Sequence, residues 1–309
     1  MTLVARRAPV SAIDPIERIR PITEREFSLF QALILRESGI FLVPAKKALL
    51  VGRLSKRLRA LGLSSFGSYY ERIVDEDDRE ERLAMLDCVS TNETHFFREP
   101  RQFEFLERQV VPHWRQHGPR VLRIWSAGCS TGQEPYTLAM LVADGLAYYY
   151  LRNPLPYDMP LPKPLVPPPW RVEITASDIA YSVLRAAQEG FYSEAQMASV
   201  DYSYRLRFFD KVGDRYAVKK ALKELVHFDF HNLKTEYLPQ RNDVIFCRNV
   251  MMYFDEPEQR RLIEKFYRCL NPQGYLFVGH AESLLGLTEK FQMVHRNSGT
   301  AYQRIEVNL

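Results

Sequence analysis

The chain has 309 residues, of which 46% are hydrophobic and 26% are charged, and its formal net charge at pH 7 is +4. These values are normal for a soluble globular protein of about two domains, and the charge is far below that of a nucleic-acid coat. No apolar run approaches the roughly 18 residues of a membrane span, and the N-terminal stretch lacks the apolar segment of a secretory signal. The four cysteines have no CxxC spacing, so we expect free thiols in a reducing cytoplasm.

Helical patterns dominate the N-terminal part of the chain. Residues 1–20 show no period and are expected to form a flexible arm, whereas residues 21–88 are expected to form a helical domain. Thr23 and Glu26 have the spacing of a capping box at its first helix. A later helix combines a leucine stripe with many basic residues, which form either a solvated face or a docking surface for an acidic partner. The docking candidates are Arg53, Lys56, Arg57 and Arg59.

The sequence next predicts a linker, followed by a strand, a turn and a helix. Residues 89–118 are expected to link the helical domain to a sheet domain over residues 119–309. Val121–Trp125 favours a buried strand, Ser126–Gly132 a tight turn, and Glu134-Pro135 the first turn of a helix. This order is typical of the nucleotide-binding corner of a doubly wound α/β sheet, although ordinary tight turns share it. The glycine spacing matches neither G-x-G-x-x-G nor Walker A.

The remainder of the sheet domain alternates strands and helices and contains two insertions. The proline-rich residues 147–169 are expected to form a surface loop. About residues 195–230 are expected to form a small antiparallel β-subdomain, with a hairpin turn at Gly213-Asp214. Two other buried strands end in polar residues, one in Asp178 and the other in Arg248-Asn249. We therefore predict an N-terminal helical domain and a doubly wound, Rossmann-like α/β sheet with an inserted β-subdomain.

The polar strand ends predict a ligand site. Open α/β sheets bind ligands beyond the carboxyl ends of their strands. A carboxylate such as Asp178 accepts hydrogen bonds from ribose hydroxyls, although a helix cap would also explain it. Ser126–Thr137 contains no lysine or arginine, which argues against a pyrophosphate, and Glu134 would suit a cationic amino group. A nucleoside joined to an amino acid without phosphate is S-adenosylmethionine, and we expect no metal.

Five segments then make the sequence recognisable. They are STNETHFFREP (Ser90–Pro100), WSAGCSTGQEPYTLAM (Trp125–Met140), ASDI (Ala176–Ile179), FCRNVMMYFD (Phe246–Asp255) and GYLFVGHAESL (Gly274–Leu284). In this order they closely resemble the bacterial chemotaxis receptor methyltransferases, the CheR family, and the resemblance extends over nearly the whole chain from about residue 21. It implies a cytoplasmic enzyme that methylates glutamate side chains on the signalling helices of a transmembrane chemoreceptor and releases S-adenosylhomocysteine.

The matching motifs also assign residues to the site. The implied cofactor contacts, together with Gly128 of the glycine turn, are Asn92, Thr94, Arg98, Glu134, Asp178, Asn232, Leu233, Arg248 and Asn249. Arg98 and Tyr253 match residues proposed to act at the methyl-transfer centre, with an interdomain salt bridge and a buried aromatic as their structural alternatives. A glutamate carboxylate with a pKa of about 4.3 is already ionised at neutral pH and needs no general base. We therefore do not expect His95 or His280 to be catalytic.

Two other functions are alternatives to this one: a methyltransferase that acts on nucleic acid or a small molecule, and a cofactor-sensing regulator that is not an enzyme. A methyltransferase acting on DNA nitrogen typically carries [DN]-P-P-[YF] after the fourth strand, where this chain has Arg248-Asn249-Val250-Met251. A cofactor-sensing regulator would be expected to have lost Arg98 or Tyr253, and this chain has both. Some family members bind a receptor's C-terminal peptide through a long, glycine-rich hairpin loop, but the loop here, FFDKVGDRYAV, is short. We expect a monomer that needs no C-terminal pentapeptide, does not bind nucleic acid, and docks on the methylation helices.

Overall fold

The computed structural model describes residues 19–75, 78–151, 161–236, 241–296 and 299–306. Nearly all of the expected flexible arm, residues 1–18, lies outside them. The chain divides into two compact units, Met1–Leu33 with Leu42–Val89 and Ile34–Phe41 with Ser90–Leu309. No helix within the described ranges combines the length and apolar character needed to cross a membrane.

The first unit is helical, as predicted. Its elements are α1 (Glu24–Ser38, which continues into the second unit), a 3-10 turn (Pro44–Lys46), α2 (Lys47–Ala60), α3 (Phe66–Val74) and α4 (Arg79–Val89). The capping box is confirmed, since Thr23 N donates to Glu26 Oε2 at 2.8 Å and Glu26 N donates to Thr23 Oγ1 at 3.2 Å. Leu50, Leu54 and Leu58 form the buried stripe of α2, because residues three or four apart share a helix face.

The basic face of α2 differs from the prediction at two residues. The Arg57 guanidinium forms an ion pair with Glu81, a buried carboxylate that also accepts a hydrogen bond from Tyr69 Oη at 2.7 Å. Arg53 donates to the Val89 carbonyl. Lys56 and Arg59 are exposed. Arg53 and Arg57 therefore hold the helices together, and the two exposed members of the four docking candidates are Lys56 and Arg59.

The second unit is built on a seven-stranded sheet in the order β6-β2-β1-β7-β8-β10-β9. These strands are β1 (Val121–Ala127), β2 (Arg171–Asp178), β6 (Val226–Phe230), β7 (Asn242–Cys247), β8 (Leu270–Val278), β9 (Phe291–Arg296) and β10 (Gly299–Arg304). β6, β2, β1, β7 and β8 are mutually parallel, and β10 is antiparallel to both β8 and β9. The doubly wound sheet is confirmed, and the carboxyl ends of its parallel strands meet at one edge.

Helices cover the sheet. They are α5 (Pro100–Phe105) and α6 (Val111–His117), joined by a π-helical turn (Leu106–Val110), and α7 (Gln133–Leu151), α8 (Tyr181–Glu189), α9 (Tyr202–Phe208), α10 (Lys220–Lys223) and α11 (Glu256–Cys269). Successive strand residues point to opposite faces. Ile124 of β1 thus packs in a core with Leu138 of α7, while Trp125 packs in a second core with Phe266 of α11. The helices hold the strand ends in fixed positions.

The predicted small antiparallel sheet is present, with different limits. Strands β3 (Phe191–Ser193), β4 (Phe209–Val212) and β5 (Arg215–Val218) pair in the order β3-β5-β4, with a two-residue turn at Gly213-Asp214. Val226–Phe230, which the sequence placed in this subdomain, pairs instead with β2 as the edge strand of the large sheet. The short polar–apolar alternation of Val226–Phe230 predicts a strand but does not indicate which strand it pairs with.

The proline-rich insertion is only partly described. Residues 152–160 lie outside the described residues, and 147–151 continue the backbone of α7. Leu165 and Val166 are buried against the core that contains Ile124. The expectation of a loop is therefore wrong for residues 147–151, and the buried apolar side chains of residues 165 and 166 fasten the insertion to the sheet domain.

Candidate functional site

The glycine turn after β1 is bonded to β2 and lies close to the loop after β7. The backbone N–H groups of Gly128 and Cys129 donate to the Ser177 carbonyl of β2 at 2.8 and 2.9 Å. Gly128 has φ +85°, and a Cβ built on it would lie 2.5 Å from Cγ2 of Val250, in the loop after β7. Backbone conformation and the approach of Val250 therefore explain this glycine. Its expected contact with a cofactor stays a prediction.

Asp178 connects the end of β2 to the glycine turn. Its buried carboxylate accepts hydrogen bonds from Ser130 N at 2.9 Å and from Ala180 N at 3.0 Å. The N-cap position of α8 is Ala180, whose N–H is one of these two donors to Asp178. Ser130 Oγ in turn donates to the carbonyl of Asn92 at 2.9 Å, which brings the predicted linker residue to the same place.

Glu134 and Arg248 form a buried ion pair. Arg248 Nε donates to Glu134 Oε2 at 2.7 Å, and its side chain is only 2% exposed. Ser126 Oγ donates to Glu134 Oε1, also at 2.7 Å, and the Arg248 guanidinium carbon lies 4.8 Å from the centre of the Phe103 ring. Each carboxylate oxygen keeps a second lone pair, so Glu134 can still accept from an ammonium group. Arg248 thus positions the Glu134 carboxylate. The sequence motifs predicted Arg248 as a cofactor contact and did not predict this role.

Two side chains of the linker, Glu99 and Gln102, complete this network. Neither of them was predicted from the sequence as a site residue. Arg248 Nη1 donates to the Arg98 carbonyl at 2.7 Å and to Gln102 Oε1 at 3.0 Å, while Gln102 Nε2 donates to the Val278 carbonyl at 2.6 Å. Glu99, with φ +57°, accepts from His280 N at 3.0 Å and from Asn249 Nδ2 at 3.3 Å. Glu99 lies inside one of the quoted motifs, so its position was a usable signal. Gln102 carried none.

Glu282 fixes the loop that follows β7. Its Oε2 accepts from the backbone N–H groups of Asn249 at 2.9 Å and Gly279 at 2.6 Å, and its Oε1 accepts from Met252 N at 3.0 Å. Asn249 has φ +57° and a buried Oδ1 with no hydrogen-bond partner among the described residues. Because the loop is fixed and the buried Asn249 oxygen has no partner among the described residues, this oxygen is a candidate ligand contact.

The Asn232-Leu233 pair lies in a turn that Lys265 of α11 holds in place. Lys265 Nζ donates to the carbonyls of Leu233, Lys234 and Thr235 at 3.3, 2.9 and 2.8 Å. Asn232 Nδ2 donates to the Glu37 carbonyl at 2.6 Å, at the end of α1. The Asn232 side chain is therefore used within the fold, and a ligand there would meet the backbone of this turn. Burial lowers the pKa of Lys265.

The remaining predicted residues lie on the linker and on the loop after β7. Arg98 and Thr94 are half-buried, and Arg98 Nη1 donates to the Glu93 carbonyl at 2.8 Å. Tyr253 is half-buried in a 3-10 turn (Met251–Tyr253), and its carbonyl accepts from Phe41 N at 2.7 Å. The Arg98 carbonyl is thus bonded to Arg248, and Tyr253 lies on the loop after β7. Their roles in the transfer centre stay predictions, while His95 and His280 are exposed.

The residues present fit a nucleoside–amino-acid cofactor. Glu134, in the first turn of α7, and Asp178, at the end of β2, supply two carboxylates, and Asn249 adds an unpartnered buried oxygen within the described residues. Carboxylates accept hydrogen bonds from ribose hydroxyls and from an α-ammonium group. The ion pair with Arg248 compensates one of the two carboxylates, so the cluster keeps a net negative charge, which disfavours a ligand that carries phosphate.

Comparisons with known proteins agree with this geometry. Residues 92–153 and 165–300 match the family model for the CheR methyltransferase SAM-binding domain, and residues 25–90 match the CheR methyltransferase all-alpha domain. A chemotaxis protein methyltransferase of Vibrio parahaemolyticus is 35% identical over 285 residues, 91% of this chain and 98% of the relative. One from Borreliella burgdorferi is 34% identical over 272 residues, 86% of this chain and 90% of the relative. The chain therefore belongs to the CheR family of S-adenosylmethionine-dependent methyltransferases.

Proposed function

We propose that this protein transfers a methyl group from S-adenosylmethionine to glutamate side chains of a chemoreceptor. The products are a glutamate methyl ester and S-adenosylhomocysteine, and the acceptors lie on the receptor's cytoplasmic methylation helices. The observation that carries the proposal is the pair of buried carboxylates beside the glycine turn, Glu134 and Asp178, in a chain whose relatives are named chemotaxis protein methyltransferases.

The proposed reaction does not require acid–base catalysis by the protein. A bound S-adenosylmethionine supplies a methyl group on a positively charged sulfur. The acceptor carboxylate is ionised at neutral pH, so no residue has to remove a proton. The protein must orient the carboxylate, exclude water and hold the reacting groups in line. We assign to Arg98 the orientation of the carboxylate or the cofactor, and to Tyr253 a hydrogen bond donated to the acceptor.

Receptor docking is assigned to the basic helix α2. The structure leaves Lys56 and Arg59 exposed, while Arg53 and Arg57 are bonded within the helical unit. The short turn at Gly213-Asp214 supports docking that does not use a C-terminal pentapeptide. We therefore assign a cytoplasmic, monomeric enzyme that acts directly on the methylation helices.

One labelling experiment tests the activity. The purified protein is incubated with methyl-labelled S-adenosylmethionine and membranes that contain the receptors of its source. The expected product is a base-labile methyl ester on a receptor band, absent when the receptor glutamates are replaced by alanine. Base-stable label, or label on nucleic acid or small molecules, would contradict the proposed acceptor.

A further inference from the structure

Three large apolar side chains are exposed on loops around Tyr253. They are Phe41, Met252 and Leu285, with 48%, 55% and 90% of their surfaces exposed; together they are called the apolar rim. Phe41 belongs to the same compact unit as the other two. Single exposed apolar residues are common on soluble proteins, but several beside one candidate site indicate an interaction surface.

Hydrogen bonds join the members of the apolar rim. Phe41 N donates to the Tyr253 carbonyl at 2.7 Å, and Met252, the preceding residue, donates its N–H to Glu282 Oε1 at 3.0 Å. Glu282 lies three residues before Leu285. These bonds put the three side chains on neighbouring loops at the edge where the carboxyl ends of the strands meet.

The Leu285 turn is fixed, so its exposure is not a consequence of a loose backbone. Leu285 N donates to Ser283 Oγ at 3.1 Å, and the Arg260 guanidinium donates to the carbonyls of Gly286 and Leu287, each at 2.8 Å. An exposed leucine held on a fixed turn loses little conformational entropy when a partner covers it.

Two charged side chains beside the apolar rim, Glu282 and Arg260, are bonded within the protein. Glu282 accepts three backbone N–H groups, and Arg260 pairs with Glu256 at 2.8 Å. This surface therefore offers a partner apolar contact and little net charge. In this respect it is the opposite of α2, where Lys56 and Arg59 are free to attract acidic groups.

We propose that the apolar rim contacts the helix that carries the acceptor glutamate, an inference that rests on the proposed function. A glutamate reaches only one side-chain length from its backbone, so a substrate helix that delivers it beside Tyr253 has to cross these loops. Residues three and four positions away share the face of the acceptor. The partner is an amphipathic helix with apolar or small residues at those positions.

The test uses Met252→Ser and Leu285→Ser, alone and together, in the full-length protein. With wild-type receptor as substrate, we expect the double variant to raise KM about tenfold, with kcat within about twofold. The affinity for S-adenosylmethionine should be unchanged. Because the contact is apolar, the KM ratio should stay the same between low and high salt. Met293→Ser, which removes a side chain 63% exposed on β9, is the matched control.

A receptor variant supplies a second measurement. Replacing the apolar residue one helical turn from the acceptor glutamate with Ser should raise KM for the wild-type enzyme and add little to the penalty of the double variant. The inference is overturned if KM does not change, if Met293→Ser has the same effect, or if the penalties simply add. If the wild-type protein forms no receptor methyl ester at all, the proposed function fails and this inference with it.

Discussion

Asp178 accepts backbone hydrogen bonds from Ser130 and Ala180, and it is also the residue expected to bind the ribose. Asp178→Ala should weaken the binding of S-adenosylmethionine by about 1–3 kcal/mol, roughly 5- to 150-fold, because charged hydrogen bonds are lost. Calorimetric titration measures this directly. Asp201→Ala, at an exposed helix start without a side-chain cap, is the control. Equal affinities for the wild type and Asp178→Ala would remove this residue from the site.

Tyr253 is expected to act on the acceptor. Tyr253→Phe keeps the ring and removes the hydroxyl, so turnover should fall about tenfold while cofactor affinity stays nearly constant. Initial rates at saturating receptor, combined with a cofactor titration, separate these two effects. Unchanged turnover would leave Tyr253 with a structural role only.

Glu107, in the π-helical turn before α6, gives a stability prediction. Burial, with a smaller effect of Asp144, raises the pKa of Glu107 above its usual value. The folded state therefore disfavours the charged form, and the stability that Glu107 contributes at low pH is lost as the pH rises through its folded pKa. Glu107→Gln should have the higher melting temperature at pH 8, with the difference shrinking towards pH 4. A variant less stable than wild type at pH 8 would contradict this.

At the scale of elements, Lys265 of α11 holds the 233–235 turn by donating to three successive carbonyls. Lys265→Met keeps most of the apolar stem and removes the ammonium donors. We expect cofactor affinity to fall about tenfold, with kcat retained at saturating cofactor, because the turn is less well positioned. Lys290→Met, which loses a surface ion pair with Glu264, is the control. A lower melting temperature with unchanged affinity would make Lys265 purely structural.

Elements with strong local signals were predictable, and those defined by distant pairings were not. The capping box of α1 and the turn at Gly213-Asp214 depend on residues close in sequence. Val226–Phe230 was misplaced because its partner, β2, lies about fifty residues earlier, and nothing in five residues of strand names that partner. The predicted site residues include Arg248, but its contact with Gln102 spans 146 positions and has no local signature.

At the scale of the whole molecule, the net charge of +4 allows a balanced test of docking. Reversing Lys56 and Arg59 to Glu changes the charge by four units, from +4 to 0. Such exposed contacts are each worth under about 1 kcal/mol, so we expect KM for receptor to rise several-fold at low salt and the effect to fade at high salt.

A second double reversal controls for the net charge itself. Lys211→Glu with Lys220→Glu also brings the charge from +4 to 0 but lies on and beside the small sheet. It should leave KM nearly unchanged. Equal effects of the two double variants would mean that long-range attraction, and not the surface of α2, governs docking.

The end of α1 receives its C-terminal hydrogen bonds from a segment 195 positions away. Asn232 Nδ2 and Lys234 Nζ donate to the carbonyls of Glu37 and Leu35 in the last turn of the helix, and the Leu35 carbonyl also accepts from Gly39 N at 2.9 Å. Whatever orders the 232–235 turn therefore also slows fraying of this helix end. Thermodynamic reciprocity then requires that a change which stabilises the last turn of α1 tightens the binding of any ligand that orders the 232–235 turn, by the same factor.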